Sequence, residues 1–194
     1  MNRLLKKHIV KGLRPNINQW NNPDVGVNDN GETIIGRPSV GYGDATEFNY
    51  AGKTLDAQPW TEDMLRLKDE LEWQKAELLG CDKPFTFALC GWYPHPTGIP
   101  WHSDTVPTEE DWIACCSFGG SRTFGWREYL DPIKTESNSS KTLTGTIPFT
   151  EEVYLLEDGD CFFFNGKSQM TSTHNVPDLL GTSPRINVTF RTGL

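Results

Sequence analysis

The chain reads as an α+β protein in which one helix supports a β-sandwich or jelly-roll core made of short strands. Three patterns predict this. Residues 61–79 carry apolar side chains at helical spacing between a start signal and a stop signal. From Phe85 the hydrophobic period changes to two, and from there to the end short apolar or alternating runs recur between polar, glycine-bearing segments.

The helix begins at the N-cap candidate Thr61, places Glu62 and Asp63 in its first turn, where the helix dipole favours negative charge, and stops at Gly80. Met64, Leu67, Leu71 and Leu78 give it an apolar stripe. In 85–93, Phe85, Phe87, Leu89 and Tyr93 fall on one face of a strand. Further strands are expected over 112–118, 122–127, 152–156, 160–164 and 184–191. Upstream, 15–40 is rich in Asn, Gly and Pro, with Asn30-Gly31 as a hairpin turn. Between strands, 131–150 is rich in Ser, Thr and Lys and reads as a mobile surface insertion.

A length of 194 residues suits one domain. We expect an N-terminal extension over 1–36 and the main domain over 37–194. With 36% hydrophobic residues and no apolar run near the ~20 residues of a membrane span, a soluble, monomeric protein is expected. The basic start, Met1 to Lys7, lacks the apolar stretch of a secretory signal, so the expected location is intracellular, cytoplasmic or nuclear. Five cysteines without a C-x-x-C pair indicate neither a disulfide framework nor a thiolate zinc site. Cys115 and Cys116, in an apolar run, read as small buried strand residues. The net charge of −8 argues against a general, electrostatically driven nucleic-acid binder, although residues 1–14 carry Arg3, Lys6, Lys7, Lys11 and Arg14 with no acid among them.

The candidate chemistry lies in His102-Ser103-Asp104 and His174. Two imidazoles and a carboxylate can hold non-haem Fe(II) on one face and leave positions open for O2 and a co-substrate. Residues i and i+2 of a strand share a face, so His102 and Asp104 can reach one ion. Alone, H-x-D is a weak signal that recurs by chance. The last strand adds to it: Arg185, Asn187, Thr189 and Arg191 fall on one face, and Ile186, Val188 and Phe190 on the other. That polar face is either the solvated side of an edge strand or an inward-facing grip for a dicarboxylate, which guanidinium groups hold bidentately.

Taken together, H-S-D, the distant Thr173-His174-Asn175 and the closing R-I-N-V-T-F-R resemble the Fe(II)/2-oxoglutarate dioxygenases of the AlkB family, in its nucleic-acid dealkylation branch. Tyr42-Gly43-Asp44-Ala45, Pro59-Trp60, Phe85-Thr86-Phe87, Tyr93, Ser117-Phe118-Gly119 and Asp158-Gly159-Asp160 are similar to further segments of that branch. The resemblance covers 37–194. It implies a double-stranded β-helix (jelly-roll) core and Fe(II), 2-oxoglutarate and O2 as cofactors, with His102, Asp104 and His174 as metal ligands and catalytic centre. It implies that Arg185 and the Tyr93 hydroxyl hold the distal carboxylate of 2-oxoglutarate. Arg191, with Asn187 and Thr189, would serve the carboxylate end near the metal. The implied reaction cleaves 2-oxoglutarate to succinate and CO2 and hydroxylates a substrate C–H bond, and on an N-methylated base the product collapses to formaldehyde and the repaired base.

The implied partner is alkylated nucleic acid, single-stranded or base-flipped. Phe48 and Tyr50 align with aromatics that cover an extruded base, a role suited to their faces, or they are alternate strand residues packing in the core. Trp92, Trp101, Trp112 and Trp126 read as core residues and His95 as a loop histidine. The chain departs from the family in three places. Gly91 stands where the family has Asn, so one co-substrate hydrogen bond is missing or supplied elsewhere. Thr105-Val106 follows H-x-D in place of acids that read the damaged base. Thr33-Ile34-Ile35-Gly36 offers no aromatic wedge. The other readings are the same chemistry on a protein side chain, a free nucleotide or another small molecule, and a noncatalytic binding module.

Overall fold

The computed structural model describes residues 10–23, 25–27, 31, 33–44, 47–50, 53–94, 97–104, 106–130, 148–177 and 183–194, with the backbone alone described for 25–27, 34, 35, 47–50 and 53. In chain order the elements are β1 (Val25–Val27), β2 (Thr33–Ile35), β3 (Ser39–Gly43), β4 (Glu47–Tyr50), β5 (Lys53–Gln58), α1 (Glu62–Leu79), β6 (Phe85–Tyr93) and β7 (Ile99–His102). They continue with β8 (Trp112–Gly119), β9 (Arg122–Tyr129), β10 (Phe149–Leu156), β11 (Cys161–Asn165), α2 (Gly166–Thr171), β12 (Ser172–Val176) and β13 (Arg185–Thr192).

Two sheets dominate this mostly-β, jelly-roll-like fold. The larger runs β11-β8-β13-β6-β3-β5-β4 and the smaller β10-β9-β12-β7. All pairs are antiparallel except β3 with β5. One apolar cluster lies between the sheets: Ile113, Cys115, Phe162 and Phe164 from the larger meet Phe124, Trp126 and Val176 from the smaller. A second covers the outer face of the larger sheet, where Ala88, Cys90, Ala114, Cys116, Phe118, Val188 and Phe190 pack with Met64, Leu67 and Leu71 of α1 and with Val10. Strands β8 and β11 are thus buried on both faces, which explains why they read as continuous apolar runs. Among the described residues no helix is long and apolar enough to cross a membrane.

The helix ends as its caps dictate. The Thr61 side chain accepts from the Met64 N–H, and Gly80 takes the left-handed conformation at φ 65° while its N–H donates to the Ala76 carbonyl. Its buried stripe differs by one position from the expected one. Lys75 is buried and Leu78 is 38% exposed. Lys75 follows Leu71 at helical spacing, and its ammonium donates to the carbonyls of Cys81 (2.7 Å) and Lys83 (2.6 Å), so a lysine replaces the leucine with its buried donors hydrogen-bonded. Strand β6 shows a second difference. A register shift between Arg191 and Thr192 places an extra β6 residue opposite β13, so Phe85 turns away from Phe87 and packs on Phe190 at 5.6 Å between ring centroids.

β1 and β2 pair as the expected hairpin, Val27 opposite Thr33, while Asn30 lies outside the described residues. The expected insertion is outside them over 131–147, and β10 already occupies 149 and 150. Cys115 and Cys116 are buried as expected. Trp126 is in the core and Trp112 packs against it, but Trp92 is exposed beside Trp20, and Trp101 lies under the Arg127 guanidinium at 3.8 Å.

Candidate active site

His102 is the last residue of β7 and stands directly opposite His174 of β12 in the antiparallel pair, with ring centroids 4.3 Å apart. Asp104 lies beyond the end of β7, on the segment leading to β8. Its placement depends on two hydrogen bonds: the Asp104 N–H donates to Oε1 of Gln169 on α2 (2.7 Å), and the Ser103 hydroxyl donates to the Ser172 carbonyl (2.7 Å). The Nε2 atoms of His102 and His174 each lie 3.8 Å from a different oxygen of Asp104. One ligand atom from each residue falls within 4.8 Å of the other two, a spacing that one first-row ion closes by small side-chain rotations.

The protonation states suit a metal. His102 Nδ1 lies 2.8 Å from the Pro100 carbonyl, which only accepts, so Nδ1 carries the proton and Nε2 presents its lone pair. Burial lowers the pKa of His102, opposed by Asp104 and the Pro100 bond, with Arg37 and Arg191 lowering it further. Burial, then His102, push His174 down to about 3 against the pull of Asp104. Burial alone would raise Asp104, but Arg191 and the two histidines hold it well below the usual carboxylate range. Two neutral imidazoles and one carboxylate are therefore present at neutral pH. Aromatic rings fix His174: Trp126 is nearly parallel to it (9°, centroids 6.0 Å apart), Phe124 lies at 5.4 Å and Phe164 at 5.5 Å. The sequence marks 122–127 as a strand, whereas the contact of Phe124 and Trp126 with His174 depends on the β9–β12 pairing.

β13 is not an edge strand: it pairs with both β6 and β8, and Arg185, Thr189 and Arg191 are buried. Its polar face lines the same cavity as the triad, whose wall also includes Arg37, Gly91, Tyr93 and Cys115. Arg191 Nη2 lies 2.8 Å from Asp104 Oδ1, joining the sheets across the cavity. A hydrogen-bond chain runs from the other arginine. Arg185 donates to Ser117 Oγ (2.7 Å) and Asn187 Oδ1 (2.9 Å), and Asn187 Nδ2 donates to Thr189 Oγ1 (2.7 Å). Asn187 and Thr189 thus join Arg185 in one hydrogen-bonded chain. Arg185 Nη1 has no hydrogen-bond partner among the described residues, and its guanidinium carbon is 5.1 Å from the centroid of the buried Tyr93 ring.

A family model described as the 2OG-Fe(II) oxygenase superfamily matches residues 14–191. The chain belongs to that superfamily. It is accordingly an Fe(II)- and 2-oxoglutarate-dependent dioxygenase that uses O2, and the donor set above fits the ion. Among solved structures, the one titled "The structure of OsALKBH1" shares its fold, with a TM-score of 0.54 and 15% identity over 97% of each chain, so this oxygenase is AlkB-like in architecture. No curated protein matches the sequence.

For this 2OG-Fe(II) oxygenase the residues expected to meet the substrate are the least described. Phe48 and Tyr50 sit on β4, the outermost strand of the larger sheet, with only their backbone described. Thr105 and His95 lie outside the described residues. The site also contains residues to which the sequence assigned no role there: Gln169 and Ser172 behind Asp104, the rings around His174, Ser117 beneath Arg185, and Arg37.

Proposed function

We propose that this dioxygenase oxidatively demethylates N-alkylated bases in DNA or RNA. The observation that carries the reading is the shared cavity, in which the His102-Asp104-His174 cluster and the unpartnered Nη1 of Arg185 face the same space. In this reading the three clustered residues hold Fe(II). Arg185 and the Tyr93 hydroxyl take the distal carboxylate of 2-oxoglutarate, while Arg191 serves the end near the metal and holds Asp104 ionised and oriented. Asn187, Thr189 and Ser117 keep the Arg185 fork rigid, so that little side-chain entropy is lost on binding.

When bound, Fe(II) would supply the redox chemistry of the coupled oxidation, in which one oxygen of O2 enters succinate as 2-oxoglutarate loses CO2 and the other enters a substrate C–H bond. On an N-methyl group this gives N–CH2–OH, whose C–N bond breaks to release formaldehyde while the nitrogen recovers its proton. The chain supplies the surroundings. Phe124, Trp126 and Phe164 keep apolar rings around His174, and Tyr93 walls the far end. In this reading Phe48 and Tyr50 stack on an extruded base, and Thr105, next to Asp104 in the sequence, helps to read it.

Support for a nucleic-acid substrate comes from the closing motif, the AlkB-like fold and the cationic cavity. The net charge of −8 favours a second reading, the same oxidation of a protein side chain or small molecule. Incubation with Fe(II), ascorbate, 2-oxoglutarate and a panel of N-methylated oligonucleotides separates the two. Formaldehyde release in step with succinate is expected. Substrate-dependent succinate from some other compound, and from no oligonucleotide, would refute the nucleic-acid reading.

A further inference from the structure

We infer that Arg37 is a co-substrate ligand that works through the space left by Gly91, gripping the distal carboxylate of 2-oxoglutarate together with Arg185. The inference rests on the assignment of the cavity to 2-oxoglutarate. Position 91 lies on the cavity face of β6, opposite Asn187 of β13 on one side and Ser39 of β3 on the other. It carries no side chain, and Arg37 fills the room. A Cβ built on Gly91 would lie 2.5 Å from Arg37 Nε and 3.0 Å from its Cδ, so any side chain at 91 would force the arginine to shift. The backbone fixes where Arg37 starts. Ser39 pairs with Gly91, and the Trp92 N–H donates to the Pro38 carbonyl at 2.9 Å.

The guanidinium lies against Tyr93, as that of Arg185 does, and is near enough to His102 for its charge to act there too. Its central carbon is 5.2 Å from the Tyr93 ring centroid, a ring from which Arg185 stands 5.1 Å. Arg122, fully buried at the start of β9, is close enough for its charge to act on Arg185 and Tyr93. Like charges gathered this closely repel, and among the described residues no carboxylate bonds to Arg37, Arg122 or Arg185. Arg37 Nε and Arg185 Nη1 are both buried without a hydrogen-bond partner among those residues. Buried donors left unpaired cost free energy, and a carboxylate placed between two guanidinium groups satisfies donors and charge together. The metal end of the cavity is different, because Asp104 already neutralises Arg191 there. The unmet positive charge therefore lies where the far carboxylate of a dicarboxylate would end.

The test is calorimetric titration of the Mn(II)-loaded full chain, which binds without turnover, with two keto acids. One is 2-oxoglutarate, and the other is 2-oxopentanoate, which keeps the metal-binding end and lacks the distal carboxylate. Arg37→Met retains the apolar stem against Tyr93 and removes the charge. It is expected to weaken 2-oxoglutarate tenfold or more and to leave 2-oxopentanoate within twofold of wild type. Gly91→Val, which drives Arg37 from its place, is expected to show the same selectivity and decides the matter where Arg37→Met folds poorly. Unchanged 2-oxoglutarate affinity in Arg37→Met, or equal losses for both ligands, overturns the role of Arg37 and leaves the cavity assignment intact. A wild-type chain that takes up neither keto acid overturns the cavity assignment itself, and the role of Arg37 with it.

Discussion

Each histidine of the triad must stay neutral to offer its Nε2 lone pair, and the fold achieves this chiefly by burial. The cost appears when the protein has no metal. Unfolded, both imidazoles take up a proton as pH falls through about 6.5. Folded, His174 resists protonation down to about 3 and His102 is shifted in the same direction. Below pH 6.5 the unfolded state therefore binds more protons, and stability falls with falling pH by up to about 1.4 kcal/mol per unit for each such histidine. Metal-free protein is expected to show this loss in urea melts between pH 6.5 and 5, above the range in which its carboxylates titrate. His174→Gln is expected to flatten the slope, and an unchanged slope would mean that the imidazole is already charged in the fold. At this scale the sequence was informative where chemistry is local, because H-x-D, the second histidine and the arginine-bearing strand are read directly from residue types. Arg37 was illegible for the opposite reason. Its position depends on an absent side chain at Gly91, brought alongside by the pairing of β3 with β6, and neither residue is distinctive alone.

The elements legible in the sequence were those with a regular period or a capped end: α1 between Thr61 and Gly80, and β6, β8, β9, β10, β11 and β13. β7 and β12, which carry the two histidines, are short and lack a regular period. β7 is Ile-Pro-Trp-His, in which Pro100 supplies no ladder N–H, and β12 is Ser-Thr-His-Asn-Val, polar because it carries a ligand. The chain between β7 and β8 needs an anchor if Asp104 is to remain in place, and Asp111 provides it. Its buried carboxylate accepts from the Thr108 N–H (3.0 Å), the Thr108 hydroxyl (2.8 Å), the Thr192 hydroxyl (2.7 Å) and the Lys83 ammonium, tying this segment to the end of β13. Asp111→Ala leaves four donors without their acceptor and is expected to cost about 3 kcal/mol, with Asp111→Asn costing less because it keeps one oxygen. The urea midpoint at constant m-value reads this directly. A loss for Asp111→Ala under about 0.5 kcal/mol would show that the segment is held by other contacts.

Across the whole molecule, the site joins the two sheets. The histidines belong to the smaller sheet, Arg185 and Arg191 to the larger, and Asp104 meets Arg191 between them. Without ligands, the arginines of the larger sheet face a cavity whose only carboxylate among the lining residues is Asp104. In the proposed reading His102, Asp104 and His174 would hold the divalent ion and Arg185 would take the far carboxylate of the dicarboxylate. The two ligands thus act as one bridge, and binding restricted to the folded state raises stability by about 2.7 kcal/mol at a hundredfold excess over Kd. For a domain of this length that corresponds to a rise of about 5–10 °C in Tm. Mn(II) with 2-oxoglutarate is expected to produce a shift larger than the sum of the separate shifts, since the keto acid gains its second anchor only on the bound ion. In His102→Ala, which removes one ligand from the smaller sheet, the extra shift is expected to vanish while any direct effect of 2-oxoglutarate on the arginines persists. Scanning calorimetry on the two proteins, each with no ligand, either ligand and both, decides the point. Strictly additive shifts in wild type would mean that metal and dicarboxylate occupy independent sites, and that the sheets close without the bridge.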